Sequence, residues 1–248
     1  MAIQFYGRAT AAVFAPLESS SRSELVARRL TDAIALGLLP DAKQLPGEVD
    51  LAHQFGVSTV TIREALSVLR QEGLIETRRG RGGGRFVRAP GDGISDLARR
   101  RLQSFSLVEL RDLGDVYAAI AGAGAALAAR RASAEDVAQL RRMAAHLAEA
   151  REPDARRRAD AQFHIEVTVA AQSTRLYHEE VALQAEFGTL LWLAFGDDDS
   201  HAQMVATCNT VVDAIEARDV LIARQTAEQR VADSTARLID YRLGQELR

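Results

Sequence analysis

From Arg22 onward, apolar residues recur at helical spacing: Val26, Leu30, Ala33, Ile34 and Gly37 share one side, and Pro40 stops the run. A second, shorter helix is expected after Pro46-Gly47, with Leu51, Ala52 and Phe55 on one face and Gly56 at its end. A third covers roughly Thr59 to Glu72. Its Ile62, Ala65, Leu66 and Leu69 form the i, i+3, i+4, i+7 stripe that buries against neighbouring helices, and Gly73 stands at the C-cap. Then the period changes. Leu74 to Thr77 reads as a short strand, Arg78 to Arg85 as a Gly-rich turn, and Arg85 to Arg88 as a returning strand. The order is helix, helix, helix, hairpin.

Ala89-Pro90-Gly91-Asp92-Gly93 reads as a linker. Beyond it lie long Ala/Leu/Arg-rich segments without strand-like alternation. Helices are expected near 94–103, 106–131, 134–150, 154–172, 174–195, 199–217 and 219–244. The expected fold is mostly α, a winged helix-turn-helix followed by an all-helical bundle. The expected divisions are an arm without clear period over 1–21, a three-helix and hairpin domain over 22–88, a linker over 89–93 and an all-helical domain over 94–248.

The stretch Gly56-Val57-Ser58-Thr59-Val60-Thr61-Ile62-Arg63 opens a helix with β-branched residues and hydroxyls, which are poor helix formers. A turn between two helices in this order is a helix-turn-helix, whose second helix enters the major groove by its N-terminal end. Ser58 is placed to cap it. Thr59, Thr61 and Arg63, with Ser67 or Arg70 further on, face away from the buried stripe, and they suit phosphates, thymine methyls and guanine. Acidic Glu64 weakens that patch a little. The hairpin adds a basic wing: residues 78–88 hold Arg78, Arg79, Arg81, Arg85 and Arg88 and no acid. Gly80, Gly82, Gly83 and Gly84 let its backbone approach another surface. A turn between helices is common by itself, and a basic hairpin is usually a solvated face. The two in this order, after three helices, point to double-stranded DNA.

Composition adds limits. The net charge of −3 does not suggest a nucleic-acid binder, but residues 1–93 carry +2 and the remainder −5, so positive charge gathers where the motif is. The single cysteine, Cys208, excludes an intramolecular disulfide framework and fits a reducing cytoplasm. No apolar run is long enough to span a membrane, and no secretory leader is recognisable.

The motifs resemble the winged-helix domain of the GntR family of bacterial transcription regulators. The matching residues are Leu45-Pro46-Gly47-Glu48-Val49-Asp50-Leu51-Ala52, Phe55-Gly56-Val57-Ser58, Thr61-Ile62-Arg63-Glu64-Ala65-Leu66 with Leu69, Glu72-Gly73-Leu74-Ile75, and Gly80-Arg81-Gly82-Gly83-Gly84-Arg85-Phe86-Val87. The resemblance implies DNA contacts from Ser58, Thr59, Thr61, Arg63, Arg78, Arg79, Arg81 and Gly82. Two positions depart from the family pattern. Thr59 stands where relatives usually carry Arg, and Val49 where they often carry Arg or another polar residue. The expected operator therefore differs from the family consensus.

The second domain resembles the FCD effector domain of the FadR subgroup through Leu127-Ala128-Ala129-Arg130 with Ser133, Asp160-Ala161-Gln162-Phe163-His164, Val211-Val212-Asp213-Ala214-Ile215, and Asp219 with Ala223. Many such domains hold a divalent metal on one Asp and three His. Asp160 and His164 match the first pair, and their i, i+4 spacing puts both on one helical face. By the same resemblance Cys208 and Arg230 replace the two remaining His, and Tyr117 stands in place of a ligand-binding Arg. An Arg cannot ligate a metal at neutral pH, and its charge opposes one. No cofactor is expected, and a divalent metal on the remaining Asp160, His164 and Cys208, strained beside that Arg, is the lesser alternative. Two readings of Asp160, His164 and Arg230 stay open. One is a structural buried ion pair beside a hydrogen-bonded His. The other is an anion site in which Arg230 clamps a carboxylate or phosphate, with Tyr117, Asp160, His164, Cys208 and Arg230 as the effector-binding set.

A pyridoxal-phosphate aminotransferase domain, found in other relatives, needs a Schiff-base Lys, and the only Lys, Lys43, lies in the DNA-binding half. No nucleophile–base pair stands out, and no enzymatic activity is expected. Trp192 reads as core or dimer interface. His53, His146, His178 and His201 read as surface or satisfied core residues, and the Gly122/Gly124 pair as close helix packing. Asp197-Asp198-Asp199 ends one helix and, with Ser200, caps the next. The expectation is a cytoplasmic, homodimeric, ligand-responsive repressor on a short palindrome. A constitutive DNA binder with a ligand-free structural bundle is the alternative.

Overall fold

A computed structural model describes residues 21–80, 83–88, 91–195 and 197–246. Residues 1–20 of the expected arm over 1–21, the linker residues Ala89 and Pro90, and Arg81 and Gly82 lie outside the described residues.

Helix α1 (Arg22–Ala35) starts at Ser21, which exchanges a capping box with Glu24. Helix α2 (Glu48–Phe55) ends on Gly56, whose left-handed φ of 65° suits glycine. Helix α3 (Thr59–Gln71) is capped by Ser58, whose hydroxyl accepts the Thr61 N–H at 3.1 Å. Its buried stripe, Ile62, Ala65, Leu66 and Leu69, packs with Val26, Leu30 and Ile34 of α1 and Leu51 of α2. Strands β1 (Ile75–Arg78) and β2 (Gly84–Val87) pair antiparallel with Ile75 opposite Val87. The Ala42–Leu45 segment also bonds β2: Leu45 N–H donates to the Arg85 carbonyl and Val87 N–H to the Lys43 carbonyl, both at 2.9 Å. In the wing turn, a Cβ on Gly83 would fall 2.6 Å from the Arg78 carbonyl oxygen, so only glycine fits there.

The second domain is helical throughout: α4 (Gly91–Ser104), α5 (Leu107–Arg131), α6 (Ala134–Glu149), α7 (Pro153–Ala170), α8 (Thr174–Leu183), α9 (Asp198–Glu216) and α10 (Val220–Glu246). Helix α4 begins at Gly91, so part of the expected linker is helical. Ser106 and Ser133 start α5 and α6 with capping boxes, and Asp197 caps α9 by accepting the Ser200 N–H at 2.6 Å. Helix α5 lies along α10, and α7 packs on both α5 and α6. Gly122 permits the close α5–α10 approach, since a Cβ there would meet Glu228 at 2.4 Å.

The expected continuous helix over 174–195 is instead broken. A π-helical turn (Gln184–Gly188) follows α8, then an α-helical turn (Thr189–Leu191) and a 3₁₀ turn (Trp192–Ala194). Gly188 leaves room for the Gln184 side chain, whose Oε1 lies 2.3 Å from where a Cβ would stand. That side chain turns inward to buried partners, which offset the looser backbone geometry of the π turn.

The two domains meet along a seam. Leu36, fully buried just past α1, packs on Ala161 and Ile165 of α7 and Ala185 of the π turn. Arg157 Nη1 donates to the Ala35 carbonyl at 2.5 Å and Gln162 Nε2 to the Leu36 carbonyl at 3.3 Å. These side chains of α7 satisfy carbonyls that the end of α1 leaves open. At the seam's edge Glu186 pairs with Arg101 at 3.3 Å and Arg28 at 3.7 Å. Burial pushes the neighbouring Asp32 carboxyl up to about 6, against the pull of Arg101 and Arg28. Among the described residues no helix is long and apolar enough to cross a membrane.

Candidate DNA-binding and effector sites

The exposed end of α3 gathers the hydroxyls expected from the sequence. Ser58 is exposed, Thr59 and Thr61 are half-buried, and the Ser58 and Thr61 hydroxyls lie 2.9 Å apart. Arg63 is exposed and opposite the buried stripe, but it is not solitary. Its Nε donates to Glu48 Oε2 at 2.6 Å, while Arg85 Nη2 of the wing donates to Glu48 Oε1 at 2.5 Å. One carboxylate at the start of α2 thus ties the recognition helix to the wing. Hydrogen bonds from Arg63 and Arg85 hold the Glu48 carboxyl below its usual range. The sequence reading weighed Glu64 as the local acid and missed Glu48, which only the packing of α2 on α3 brings here. On the wing, Arg78 Nε donates to Glu76 at 2.6 Å and its guanidinium lies 4.3 Å from the Phe86 ring centroid. Arg79 is exposed at the turn.

The bundle core holds the second cluster. Asp160 and His164 of α7 and Cys208 of α9 place one candidate ligand atom each within 4.8 Å of one another, and all three are buried. Arg230 of α10 enters the same space, donating from Nη2 to Asp160 Oδ2 at 2.5 Å. His164 Nε2 lies 3.3 Å from Asp160 Oδ1. Trp192 Nε1 donates to Asp160 Oδ2 at 3.1 Å, so Trp192 is half-buried core that also serves this carboxylate. Tyr117 on α5 is fully buried. Its hydroxyl donates to Glu180 Oε1 at 3.2 Å and accepts from Gln184 Nε2 at 2.5 Å. Glu180, Gln184 and Trp192 were not foreseen as part of this cluster.

Charge in this core is set by burial against pairing. Burial disfavours ionised Asp160, but Arg230, with His164 and the Trp192 N–H, outweighs it and holds the carboxyl well below the usual range. Burial, then Arg230, depresses the His164 pKa, which favours neutral imidazole. Burial pushes Glu180 up to about 7 despite bonds from Gln184 and Tyr117. It also raises the Cys208 thiol and the Tyr117 hydroxyl. Arg230 Nε and Nη1, His164 Nε2 and Glu180 Oε2 are buried without a hydrogen-bond partner. A cavity of about 10 Å³, room for about one water, is lined by His164, Thr168 and Glu180 among others. On its outer side Arg230 lines an open groove of about 820 Å³ with Ala118, Ala119, Gln225, Gln229 and Asp233.

The remaining residues fall where expected. His53, His146 and His178 are exposed, and buried His201 lies 2.9 Å from the Leu147 carbonyl oxygen.

A winged helix-turn-helix with basic residues on its exposed face, joined to a helical bundle with a polar core, defines a DNA-binding transcription regulator of two domains. The GntR model, described as bacterial regulatory proteins, gntR family, matches residues 22–84, and the FCD domain model matches residues 112–233. A Mycobacterium gastri chain named for an HTH-type transcriptional regulator, RmpR, is 44% identical over 183 residues, covering 74% of this chain and 67% of that one. The HTH-type transcriptional regulator SmoD of Agrobacterium fabrum is 36% identical over 78 residues, 32% of each chain. McbR/YncC of E. coli superposes with a TM-score of 0.49 at 17% identity, covering 90% of this chain and 99% of that one. The chain belongs to the GntR family, with an FCD domain following its helix-turn-helix. It is a transcription regulator that binds DNA, and FCD domains bind small-molecule effectors.

Proposed function

We propose that the chain is a cytoplasmic, homodimeric repressor of the FadR subgroup that releases a short palindromic operator when a small anionic effector enters its bundle core. Operator symmetry would mirror the protein's two-fold axis. The observation that carries ligand response is the double role of α7 and the π turn. Asp160 and His164 face the polar core, while Arg157, Ala161 and Gln162 of the same helix hold the end of α1. Gln184 likewise reaches Tyr117 and Glu180, while Ala185 packs on Leu36 and Glu186 pairs with Arg28. A ligand that moves the core therefore moves the platform on which the DNA-binding domain sits. Arg230 Nε and Nη1 are buried and make no hydrogen bond within the fold, so they are donors that a carboxylate reaching the core would take up.

A divalent metal does not fit this reading. The guanidinium bonded to Asp160 is a permanent cation inside the three-ligand cluster, and it repels a second one at short range in a poorly solvated space. Purified chain should hold less than one zinc per ten protomers after dialysis against zinc, while Arg230→His should take up one cobalt per protomer with a thiolate absorption from Cys208. Stoichiometric zinc in the wild-type chain would refute the metal-free core.

The effector reading is tested by thermal shift against a panel of small carboxylates and phosphates. A genuine effector raises the melting temperature, and operator DNA weakens its binding by the factor by which it weakens DNA binding. A panel with no stabilising member, or a ligand without that reciprocity, would favour a constitutive DNA binder. The internally paired Asp160 and Arg230 support that second reading.

A further inference from the structure

Val60 stands in the first turn of α3 with 58% of its surface exposed, between half-buried Thr59 and Thr61. A β-branched residue there is disfavoured relative to alanine by helix propensity, and it joins no buried cluster that would offset the cost. Arg63 follows at i+3, so the two side chains are neighbours on one face, about 5–6 Å apart at Cβ. That face is opposite Ile62, Ala65, Leu66 and Leu69. In a helix-turn-helix, the N-terminal turn of the second helix is the part that meets base edges.

An aliphatic side chain cannot donate or accept a hydrogen bond. The one base-edge feature in the major groove that it can recognise is the thymine 5-methyl group. Arg63 is prepared for a different edge. Its Nε is taken by Glu48, and among the described residues no hydrogen bond is formed by its terminal nitrogens. Those two nitrogens can span O6 and N7 of guanine. A carboxylate at a DNA-facing surface repels phosphate. Glu48 offsets that by fixing the guanidinium before DNA arrives, which lowers the ordering cost at binding.

We propose that Val60 reads a thymine methyl group and that Arg63, positioned by Glu48, reads a guanine one or two base pairs away, about 3.4 Å per step. This rests on the docking of α3 in the major groove. Val60 is then a specificity-determining residue that the charge pattern does not reveal, and Glu48 a positioning residue.

The test uses the full chain and a duplex selected from a random library, titrated at one fixed salt concentration. Each thymine is replaced singly by deoxyuridine, which lacks only the methyl group, and each guanine by 7-deazaguanine, which lacks only N7. Wild-type chain should lose about fourfold in affinity at one or more thymines, the worth of about one buried methyl, and Val60→Ala should lose nothing at those positions. Val68→Ala, which alters the other exposed valine of α3, should keep the full penalty. Arg63→Ala should erase the penalty at a neighbouring guanine. Glu48→Gln should lower the ratio of selected to scrambled affinity at unchanged melting temperature, and Glu48→Asp should restore part of it. Indifference of the wild-type chain to every deoxyuridine, or a Val60→Ala variant that keeps the penalty, overturns the thymine assignment. An unchanged ratio in Glu48→Gln overturns the positioning role. A chain that selects no preferred sequence overturns the docking itself, and this proposal with it.

Discussion

Carboxylates bind guanidinium groups in both halves of the molecule at nearly the same separation and in opposite surroundings. Glu48 meets Arg85 at 2.5 Å and Arg63 at 2.6 Å, with the Arg63 side chain 64% exposed. Asp160 meets Arg230 at 2.5 Å with both side chains at 6% exposure or less. The surface cluster is screened by solvent, and the terminal nitrogens of Arg63 stay open to DNA while Glu48 holds its Nε. The buried pair has no solvent to fall back on, and separating it leaves an unpaired charge in the core. The same bond is therefore an adjustable contact in one domain and a fixed strut in the other.

The largest expected effect tests the strut. Removing one partner with Arg230→Ala or Asp160→Ala should cost about 3–5 kcal/mol in chemical unfolding, whereas the double replacement Asp160→Leu with Arg230→Met should recover most of it. Equal losses in single and double variants would erase the contrast with Glu48. Next comes the acid that burial keeps protonated. Glu180 is raised in the fold from the usual carboxylate value to about 7, so the folded state holds a proton that the unfolded chain releases. Its ionisation costs stability progressively as pH rises from about 4.5 through 7, reaching about 3 kcal/mol. Glu180→Gln should therefore stabilise the chain at pH 8 by up to that amount and by little at pH 5, read as melting temperature against pH. At the surface, Arg63→Ala should cost about 1–3 kcal/mol of operator affinity, measured by titration, with the melting temperature nearly unchanged. The smallest effect belongs to Glu48→Gln, which should alter folding stability by less than about 1 kcal/mol.

These contrasts were only partly legible in the sequence. The three helices and hairpin announce themselves because caps and glycines mark their ends: Ser58 caps α3, and Gly56 takes a left-handed turn after α2. Asp160 and His164 were legible through the resemblance to the FCD domain, and their spacing of four residues placed them on one helical face. Glu48 beside Arg63 is 15 residues away, and Arg157 reaches Ala35 across 122. No periodicity encodes such distances. The π turn hides for another reason. Hydrogen bonds from i to i+5 put an extra residue into the turn and shift the phase of the apolar pattern, so a continuous helix over 174–195 conceals that Gln184 and Trp192 serve buried carboxylate or hydroxyl groups. Thr59 and Val49 are legible only against relatives, whereas the exposure of Val60 needs the packed helix.

Gly37 bears on how such regulators can be recombined. Its φ is +71°, and a Cβ there would lie 2.7 Å from Arg158 Cδ of α7. The boundary an engineer would cut, near residue 90, is thus not where the two halves part company. A graft that joins this DNA-binding module to another bundle must also transplant the α7 surface that accepts Leu36 and Gly37, or leave the carbonyls of Ala35 and Leu36 without their donors. Modularity in this chain is a property of matched surfaces, and the exchangeable unit is the module together with its socket.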